Sequence, residues 1–342
     1  MNDKRFSRAE HDWDEIIRFF PNTLRSMLKN VNSLEQSKIT EIRMRIGRPI
    51  EIITGNRSYW LNRAGGLESV SSQTYILTPE DFARTLNSIT NGSFYALEEE
   101  FAQGYLTLPG GHRVGFTGHV ILETGKIKLI RDLSSLNLRI ARQIRGIARP
   151  VLPFLWKDSR FLKTLILSPP ASGKTTLLRE IIREVSDGCD DLGIDGIRVG
   201  VVDERSEIAG SYLGIPQLDV GNRTDVLDAC PKSEGVYLLL RAMNPQLIAT
   251  DEIGNERDYQ VIEDIINAGV SFIATAHAQN LTEALCRPGL KRILENGMIE
   301  RIVILSNRLG VGTVESIKAG ISGPELFNNR IQPKSEEELP DG

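Results

Sequence analysis

The sequence predicts an α/β protein in which a smaller α+β domain precedes a domain built on a largely parallel sheet. From Lys163 onward, short apolar runs alternate with amphipathic segments, as expected for parallel strands that are covered by helices on both faces. Before residue 150, apolar and polar residues alternate at strand periodicity, which is typical of an antiparallel sheet with one solvated face. At 342 residues, the chain is long enough for two such domains, each with its own core.

The second domain is expected to contain five short, continuous strands that are rich in apolar and β-branched residues. They are expected at Thr164–Leu167, Arg198–Val202, Gln246–Thr250, Ser271–Thr275 and Arg301–Leu305. Strands that are buried on both faces have this composition, and their carboxyl ends form the binding crevice of open α/β sheets. The pattern therefore predicts a nucleotide-binding α/β layer.

The first domain is expected to mix strands with two helices. Ile42, Met44 and Ile46 alternate with polar residues, as in a strand with one buried face. Thr78 and Pro79 match an N-cap followed by a proline in the first turn, which predicts a helix through about Ile89. The remaining expected elements are a helix over Tyr95–Gln103 and strands over Pro49–Ile53, Ser58–Leu61, His112–Phe116, Lys126–Ile130 and Leu136–Ile140.

The boundary between the domains is predicted near residue 150, where Pro150 and Pro153 interrupt the periodicity. The acidic run Glu336–Glu338 indicates a disordered tail. The resulting division is an amino-terminal α+β domain over 1–145, a connection over 146–160, the nucleotide-binding domain over 161–330 and a tail over 331–342.

The composition excludes several classes of protein. Apolar residues make up 40% and charged residues 25%, with a net charge of −4. The sequence therefore has no dominant basic patch of the kind that would predict nucleic-acid binding. The three cysteines are widely spaced and not grouped with histidine, which favours neither a disulfide framework nor a zinc site and fits a reducing cytosol. No window approaches the ~18 apolar residues of a membrane span, so we expect no transmembrane segment.

A candidate phosphate-binding loop follows the first strand of the second domain. Lys174 is placed to reach the outer phosphates of a nucleotide, and Thr175 to present its hydroxyl to a magnesium ion. Ser168 replaces the first glycine of G-x-x-x-x-G-K-[ST], but the two prolines that follow already restrict the backbone there. The alternative is an ordinary helix start. The residues predicted to bind nucleotide are Ser168, Pro169, Pro170, Ala171, Ser172, Gly173, Lys174, Thr175 and Thr176.

Two further strands are followed by acids that are expected at the same edge of the sheet. Asp251 is expected to orient the magnesium ion, and Glu252 to polarise the attacking water. Asp203 and Glu204 follow another strand and are expected to position the ion or the water. The alternative for each pair is a strand that ends in solvated carboxylates. Arg205 is expected to pair with Asp203 or Glu204. A purely structural role is an equal alternative for Arg205 and Glu207.

These segments resemble the secretion and pilus-retraction ATPases. The likeness lies in Leu240–Gln246, Asp251–Asp258 and Ala274–Ala278, while Asp203 and Glu204 resemble that family's aspartate box and His277 its histidine box. His277 then lies where it can sense the γ-phosphate, although spacing alone favours a packed or capping histidine. Within this superfamily the chain resembles the stage III sporulation protein AA family, in the segments Thr40–Arg45, Gly47–Pro49, Gly111–Gly115, Val201–Glu207 and Asp251–Gly254.

The resemblance implies a RecA-like P-loop ATPase that uses ATP and Mg²⁺ and works as a hexameric ring. It implies a motor for a secretion-like channel between mother cell and forespore, docked on an integral-membrane component. The protein itself is then cytoplasmic and peripheral at the mother-cell face of the forespore membrane.

The resemblance also implies that arginines of the amino-terminal domain complete the ATP site. The segment Ser134–Arg142 matches the family's arginine-bearing strand. Arg113, Arg139 and Arg142 are the candidates, with a solvated basic face as the alternative.

The favoured mechanism is in-line attack of water on the γ-phosphate, with the developing charge neutralised by magnesium, Lys174 and an arginine. One alternative is a nucleotide-gated scaffold that hydrolyses ATP slowly or not at all, for which Glu252 is dispensable. Another is a nucleic-acid translocase on the same core, which the near-neutral composition disfavours.

Overall fold

A computed structural model describes residues 13–55, 57–70, 73–92 and 104–329. The chain divides into two units. Among the described residues, the amino-terminal unit comprises those up to Arg142 together with Gly210–Leu218, and the carboxyl-terminal unit comprises Gln143–Ala209 and Asp219–Asn329. The helix predicted over Tyr95–Gln103 and the tail predicted over 331–342 lie outside the described residues.

The amino-terminal unit contains a seven-stranded antiparallel sheet with the order β4-β3-β2-β1-β7-β6-β5. The strands are β1 (Ile39–Arg45), β2 (Glu51–Thr54), β3 (Arg57–Leu61), β4 (Leu67–Glu68), β5 (Tyr105–Thr107), β6 (Arg113–Glu123) and β7 (Lys126–Arg139). The helices are α1 (Trp13–Ile17), α2 (Asn22–Lys29), α3 (Ser33–Gln36) and α4 (Pro79–Ile89).

The predicted alternation along β1 separates a buried face from a polar face. Ile42 pairs with Ile52 on one side and Leu138 on the other, and all three are fully buried. Arg43 pairs with Glu51 and Asn137 on the opposite, polar face. One detail differs from expectation, because the strand ends at Arg45 and Ile46 is exposed.

The two strands predicted over Lys126–Ile130 and Leu136–Ile140 are instead one long strand, β7. The polar stretch between them breaks the apolar alternation in the sequence, yet it continues to pair with β6 through a local irregularity. Asp132 in this stretch has a positive φ of 48°, as at a bulge. Thr124 and Gly125 join β6 to β7 with positive φ angles, as in a two-residue hairpin turn.

The carboxyl-terminal unit is built on an eight-stranded sheet with the order β12-β11-β13-β14-β10-β15-β16-β17, in which all pairs from β12 to β15 are parallel. The strands are β10 (Thr164–Ser168), β11 (Val199–Asp203), β12 (Thr224–Asp228), β13 (Leu247–Thr250), β14 (Ser271–His277), β15 (Arg301–Ser306), β16 (Thr313–Lys318) and β17 (Glu325–Asn328). The helices are α5 (Leu152–Leu155), α6 (Lys174–Asp187), α7 (Lys232–Ala242), α8 (Glu256–Asn267), α9 (Leu281–Leu285) and α10 (Pro288–Glu295). A short hairpin of β8 (Trp156–Lys157) and β9 (Arg160–Phe161) precedes the sheet.

The predicted α/β fold class is confirmed, and all five predicted strands are present. Apolar side chains cover both faces of the sheet: Leu165 and Leu167 belong to one core cluster and Ile166 to the other. The sequence did not predict β12, because its two aspartates interrupt the apolar run that marks the central strands and every residue in it is only half-buried. In the part of the chain that the structure describes, no helix combines the length and apolar character needed to cross a membrane.

The division into units differs from the predicted one in two segments. The segment 146–160, predicted as a connection, contains α5, and Val151, Leu152 and Leu155 are buried in the core of the carboxyl-terminal unit. Pro153 lies in the first turn of α5, where a missing N–H is tolerated. Conversely, Gly210–Leu218 belongs to the amino-terminal unit.

Candidate functional site

The loop after β10 adopts backbone conformations that few residues tolerate. Ala171 and Gly173 have positive φ angles of 57° and 81°, and α6 begins directly after Gly173, its N-cap. A Cβ on Gly173 would lie 2.7 Å from Cγ1 of Val311, so only glycine fits there. The N–H groups in the first turn of a helix have no intrahelical acceptors, so this loop and α6 together supply the donors of an anion site.

Ser168 replaces the first glycine of the motif without strain. It is the last residue of β10, is fully buried and pairs with His277 in β14. Its φ is not positive, so the position does not require glycine. The departure from the motif is therefore compatible with the predicted role of the loop in phosphate binding.

Asp251 and Thr175 bring together the oxygen atoms that a magnesium ion prefers. The Thr175 hydroxyl donates to Oδ2 of Asp251 over 2.6 Å. The Thr275 hydroxyl and the backbone N–H of Glu252 donate to Oδ1. Because the Thr175 proton points to the carboxylate, the lone pairs of its oxygen remain available to a metal ion. These residues thus fit a magnesium ion that also binds phosphate oxygens.

Glu252 follows β13 in a strained backbone conformation. Its φ is 48°, a value that L-residues other than asparagine and aspartate seldom adopt and that costs about 1–3 kcal/mol. Its N–H is held by Oδ1 of Asp251 and Oγ1 of Thr275, each over 2.9 Å. The surrounding bonds therefore fix the backbone that directs the Glu252 side chain.

The Glu252 carboxylate has three partners from three different segments. Lys174 donates to Oε1 over 2.7 Å, and Arg205 donates to Oε2 over 2.6 Å. Nε2 of His277 lies 2.9 Å from Oε1 and also 2.9 Å from the Lys174 ammonium. Burial alone would raise the pKa of Glu252, but the hydrogen bond and charge of Lys174, followed by His277 and Arg205, hold that pKa below its ordinary value. Glu252 is therefore a carboxylate at neutral pH.

His277 ends β14 beside the phosphate loop. Its Nε2 can donate to Glu252 when protonated or accept from Lys174 when not, but it cannot do both. Its Nδ1 is buried and has no hydrogen-bond partner among the described residues. The contacts place His277 at the junction of the phosphate loop and the acid-ended strand, whereas its sensing of a γ-phosphate stays a prediction.

Asp203 holds the backbone of the loop that follows β11. It is 1% exposed, and its carboxylate accepts the N–H groups of Glu207, Ile208 and Ala209 over 2.8–3.0 Å. Burial raises the pKa of Asp203, and these backbone donors oppose that shift. Both oxygens are thus used within the loop 204–209, and direct contact of Asp203 with nucleotide or metal stays a prediction.

Arg179 holds the same loop from the other side, a role that the sequence did not predict. This residue of α6 is 7% exposed and donates to the carbonyl oxygens of Ile208 and Glu207. Burial lowers its pKa to about 10, against the opposing charge of Asp203 and other acids. The sequence signal that could have indicated this role is the position of Arg179 among the apolar residues of an amphipathic helix.

Glu204 forms an ion pair with Lys232, the first residue of α7. Lys232 is 7% exposed, so this pair places a buried cation next to the acids of β11. A small open cleft lies between these groups. It is lined by Asp203, Glu204, Arg205, Glu207, Lys232, Asp251 and Glu252.

The three candidate arginines belong to the amino-terminal unit. Arg113 and Arg139 face each other across β6 and β7, with Arg113 stacked 3.5 Å from the centre of the Tyr105 ring. Nε of Arg139 lies 3.7 Å from Glu41, and its side chain is 61% exposed. Arg142 donates instead to the carbonyl oxygens of Ser37 and Ile39. Completion of the ATP site by any of them stays a prediction.

Comparison with known proteins agrees with this architecture. The family model for sporulation stage III, protein AA matches residues 10–321. Stage III sporulation protein AA of Bacillus subtilis (strain 168) is 43% identical over 304 residues, covering 89% of this chain and 94% of that protein.

Solved structures show the same fold at low sequence identity. The ATPase DotB of Legionella pneumophila has a TM-score of 0.55 at 17% identity, covering 86% of this chain and 78% of its own. The pilus retraction motor PilT, solved with bound ADP, has a TM-score of 0.50 at 14% identity, covering 78% and 74%. The fold is therefore that of the secretion ATPases of the RecA-like P-loop type. The chain belongs to the sporulation stage III protein AA family.

Proposed function

We propose that this protein binds Mg-ATP on the loop 168–176 and hydrolyses it as the motor of a sporulation-associated, secretion-like channel between mother cell and forespore. The observation that carries the proposal is the convergence of four side chains at the edge of the sheet where the parallel strands β10 and β13 end. Lys174 contacts Glu252, and Thr175 contacts Asp251. Family membership and the secretion-ATPase fold support the same function.

Glu252 is the group that positions and deprotonates the attacking water. As the water oxygen bonds to the γ-phosphorus, the bond from phosphorus to the ADP oxygen breaks, and Glu252 accepts the water proton; the products are ADP and inorganic phosphate. Lys174 neutralises charge on the phosphate oxygens. Thr175 and Asp251 would hold a magnesium ion, which would supply further charge neutralisation.

Lys174 must leave Glu252 for this chemistry to begin. In the present arrangement its ammonium is bonded to Oε1 of Glu252, and its side chain is 9% exposed. A phosphate group carries more negative charge than one carboxylate and offers more acceptors to the lysine. Nucleotide binding therefore frees the carboxylate that the reaction uses.

The larger assembly is part of the proposal. We place the protein in a homo-oligomeric ring, a hexamer as its family resemblance implies, with Arg113, Arg139 or Arg142 completing the ATP site. A ring of this kind docks on an integral-membrane component of the channel at the mother-cell face of the forespore membrane. Closure around nucleotide then converts hydrolysis into displacement.

The test is ATPase activity measured together with the mass of the full-length protein, with and without Mg-ATP. Lys174→Ala is expected to lose nucleotide binding and turnover, because it removes the cation that reaches the phosphates. Lys291→Ala is the matched control, since Lys291 is an exposed lysine of α10 with a 3.8 Å contact to Glu295. The wild type and the control are expected to hydrolyse ATP and to assemble into a larger oligomer when Mg-ATP is present.

A wild-type protein that neither binds nor hydrolyses ATP contradicts the proposal. A protein that binds ATP and assembles but does not turn it over favours the nucleotide-gated scaffold instead. A rate that rises steeply with added DNA favours the translocase.

A further inference from the structure

Arg205 shares the Glu252 carboxylate with Lys174, and each cation takes a different oxygen. Lys174 binds Oε1 and Arg205 binds Oε2. A single carboxylate therefore separates an arginine from the lysine of the phosphate loop. An anion that replaces Glu252 as the partner of Lys174 would therefore lie close to the Arg205 side chain.

The loop that carries Arg205 is held just after it, at residues 207–209, whereas the Arg205 side chain is exposed. Asp203 and Arg179 hold the following residues through both their N–H and their C=O groups. The Arg205 side chain itself is 62% exposed. In the described part of the chain its guanidinium makes one hydrogen bond, to Glu252, so most of its N–H groups remain available to another anion.

We propose that Arg205 is a γ-phosphate-binding residue that exchanges Glu252 for the terminal phosphate of ATP. The proposal rests on the proposed function, because it takes the phosphate loop as the nucleotide site. A guanidinium matches a phosphate group with two parallel hydrogen bonds, whereas here it reaches Glu252 with one. Arg205 thus restrains the base while the site lacks a γ-phosphate and releases it when the γ-phosphate binds.

This assignment differs from the arginines of the amino-terminal unit in one measurable way. Arg205 lies in the same unit as Lys174 and Glu252. It therefore distinguishes ATP from ADP within a single subunit, without a neighbouring subunit. The distinction concerns binding and does not depend on turnover.

The test compares the affinity of full-length protein for Mg-ADP and for the non-hydrolysable β,γ-imido analogue of ATP. The variants are Arg205→Gln, which removes the charge, and Arg205→Lys, which keeps the charge but not the two-pronged geometry. Arg241→Gln is the control, because Arg241 is an exposed arginine of α7 outside the cleft. Circular dichroism melting checks that each variant folds, which we expect because the Arg205 side chain is 62% exposed.

Wild type and the Arg241→Gln control are expected to bind the ATP analogue more tightly than ADP. Arg205→Gln is expected to lose about tenfold of this preference, as for one charge-assisted contact, with its ADP affinity unchanged. Arg205→Lys is expected to recover part of the preference, because the charge remains.

Two results overturn the assignment. Arg205 does not bind the γ-phosphate if Arg205→Gln keeps the full preference for the ATP analogue. The same conclusion follows if Arg205→Gln loses as much affinity for ADP as for the ATP analogue. If the wild type binds both nucleotides equally, no residue of the subunit contributes binding energy through the γ-phosphate. Failure of the proposed function looks different, because then the wild type binds neither nucleotide.

Discussion

The clearest prediction from the structure concerns Asp203, whose carboxylate accepts three backbone N–H groups. Asp203→Ala removes both acceptor oxygens and with them all three hydrogen bonds, whereas Asp203→Asn keeps one oxygen, which is sufficient for the bonds to Ile208 and Ala209. Both variants remove the charge that a magnesium-binding role would require. Stability and Mg-ATP affinity therefore separate a loop-holding role from a metal-binding role.

The magnitude follows from burial. Ile208 and Ala209 are fully buried, and leaving a buried donor without a partner costs about 1–3 kcal/mol. Glu207 is half-buried, so water replaces part of its lost bond. The burial that raises the pKa of Asp203 also makes its charge costly, and the removal of that charge offsets part of the loss. We expect the free energy of unfolding to fall by about 2–4 kcal/mol in Asp203→Ala and by about 1 kcal/mol in Asp203→Asn.

The assay is denaturant unfolding followed by circular dichroism, together with hydrogen exchange of the amides of residues 207–209. Asp203→Ala is expected to lose protection at these amides, and the exposed control Asp195→Asn is expected to stay within about 0.5 kcal/mol of wild type. Unchanged stability and protection in Asp203→Ala, with Mg-ATP affinity lost, would refute the loop-holding role.

Three further results are expected. Glu204→Gln should destabilise the protein more than Lys232→Met in the same unfolding assay, because it leaves the 7% exposed Lys232 charged and unpaired; the reverse order contradicts this. Burial raises the pKa of the Cys189 thiol to about 12, so iodoacetamide at pH about 8 should label the exposed Cys286 first in peptide mapping, and early labelling of Cys189 contradicts the burial. The pKa of Glu252 is held below its ordinary 4.5, so its ion pairs stabilise the fold above that pH and this contribution is lost as pH falls through the lowered value. The difference in urea midpoint between wild type and Glu252→Gln should accordingly narrow on acidification, and a constant difference contradicts those ion pairs.

The strand ends were the most predictable part of the site. The apolar runs that end at Thr250 and near Thr275 have the composition of doubly covered strands, and parallel strands bring their carboxyl ends to one edge. The convergence of Lys174, Asp251 and Glu252 follows from that rule together with the loop motif.

The contacts that cross between loops were not predictable from spacing. The sequence predicted that Arg205 pairs with Asp203 or Glu204. Arg205 binds Glu252 instead, a choice that depends on side-chain reach across two loops. Arg179 was missed because an arginine in an amphipathic helix is usually solvated, whereas here two carbonyl groups make its burial favourable. The strand β12 was missed because each of its residues is half-buried, which weakens the apolar signal.

The most direct test of the proposed function is the identity of the nucleotide retained after incubation with Mg-ATP, measured by rapid desalting, acid quench and chromatography. Glu252→Gln keeps the shape of the side chain but removes the proton acceptor, and Glu295→Gln on α10 is the exposed control. We expect ADP on the wild type and the control, and ATP on Glu252→Gln. ATP retained equally by all three proteins, or ADP on Glu252→Gln at the wild-type rate, would contradict the role of Glu252 as the base of an ATPase.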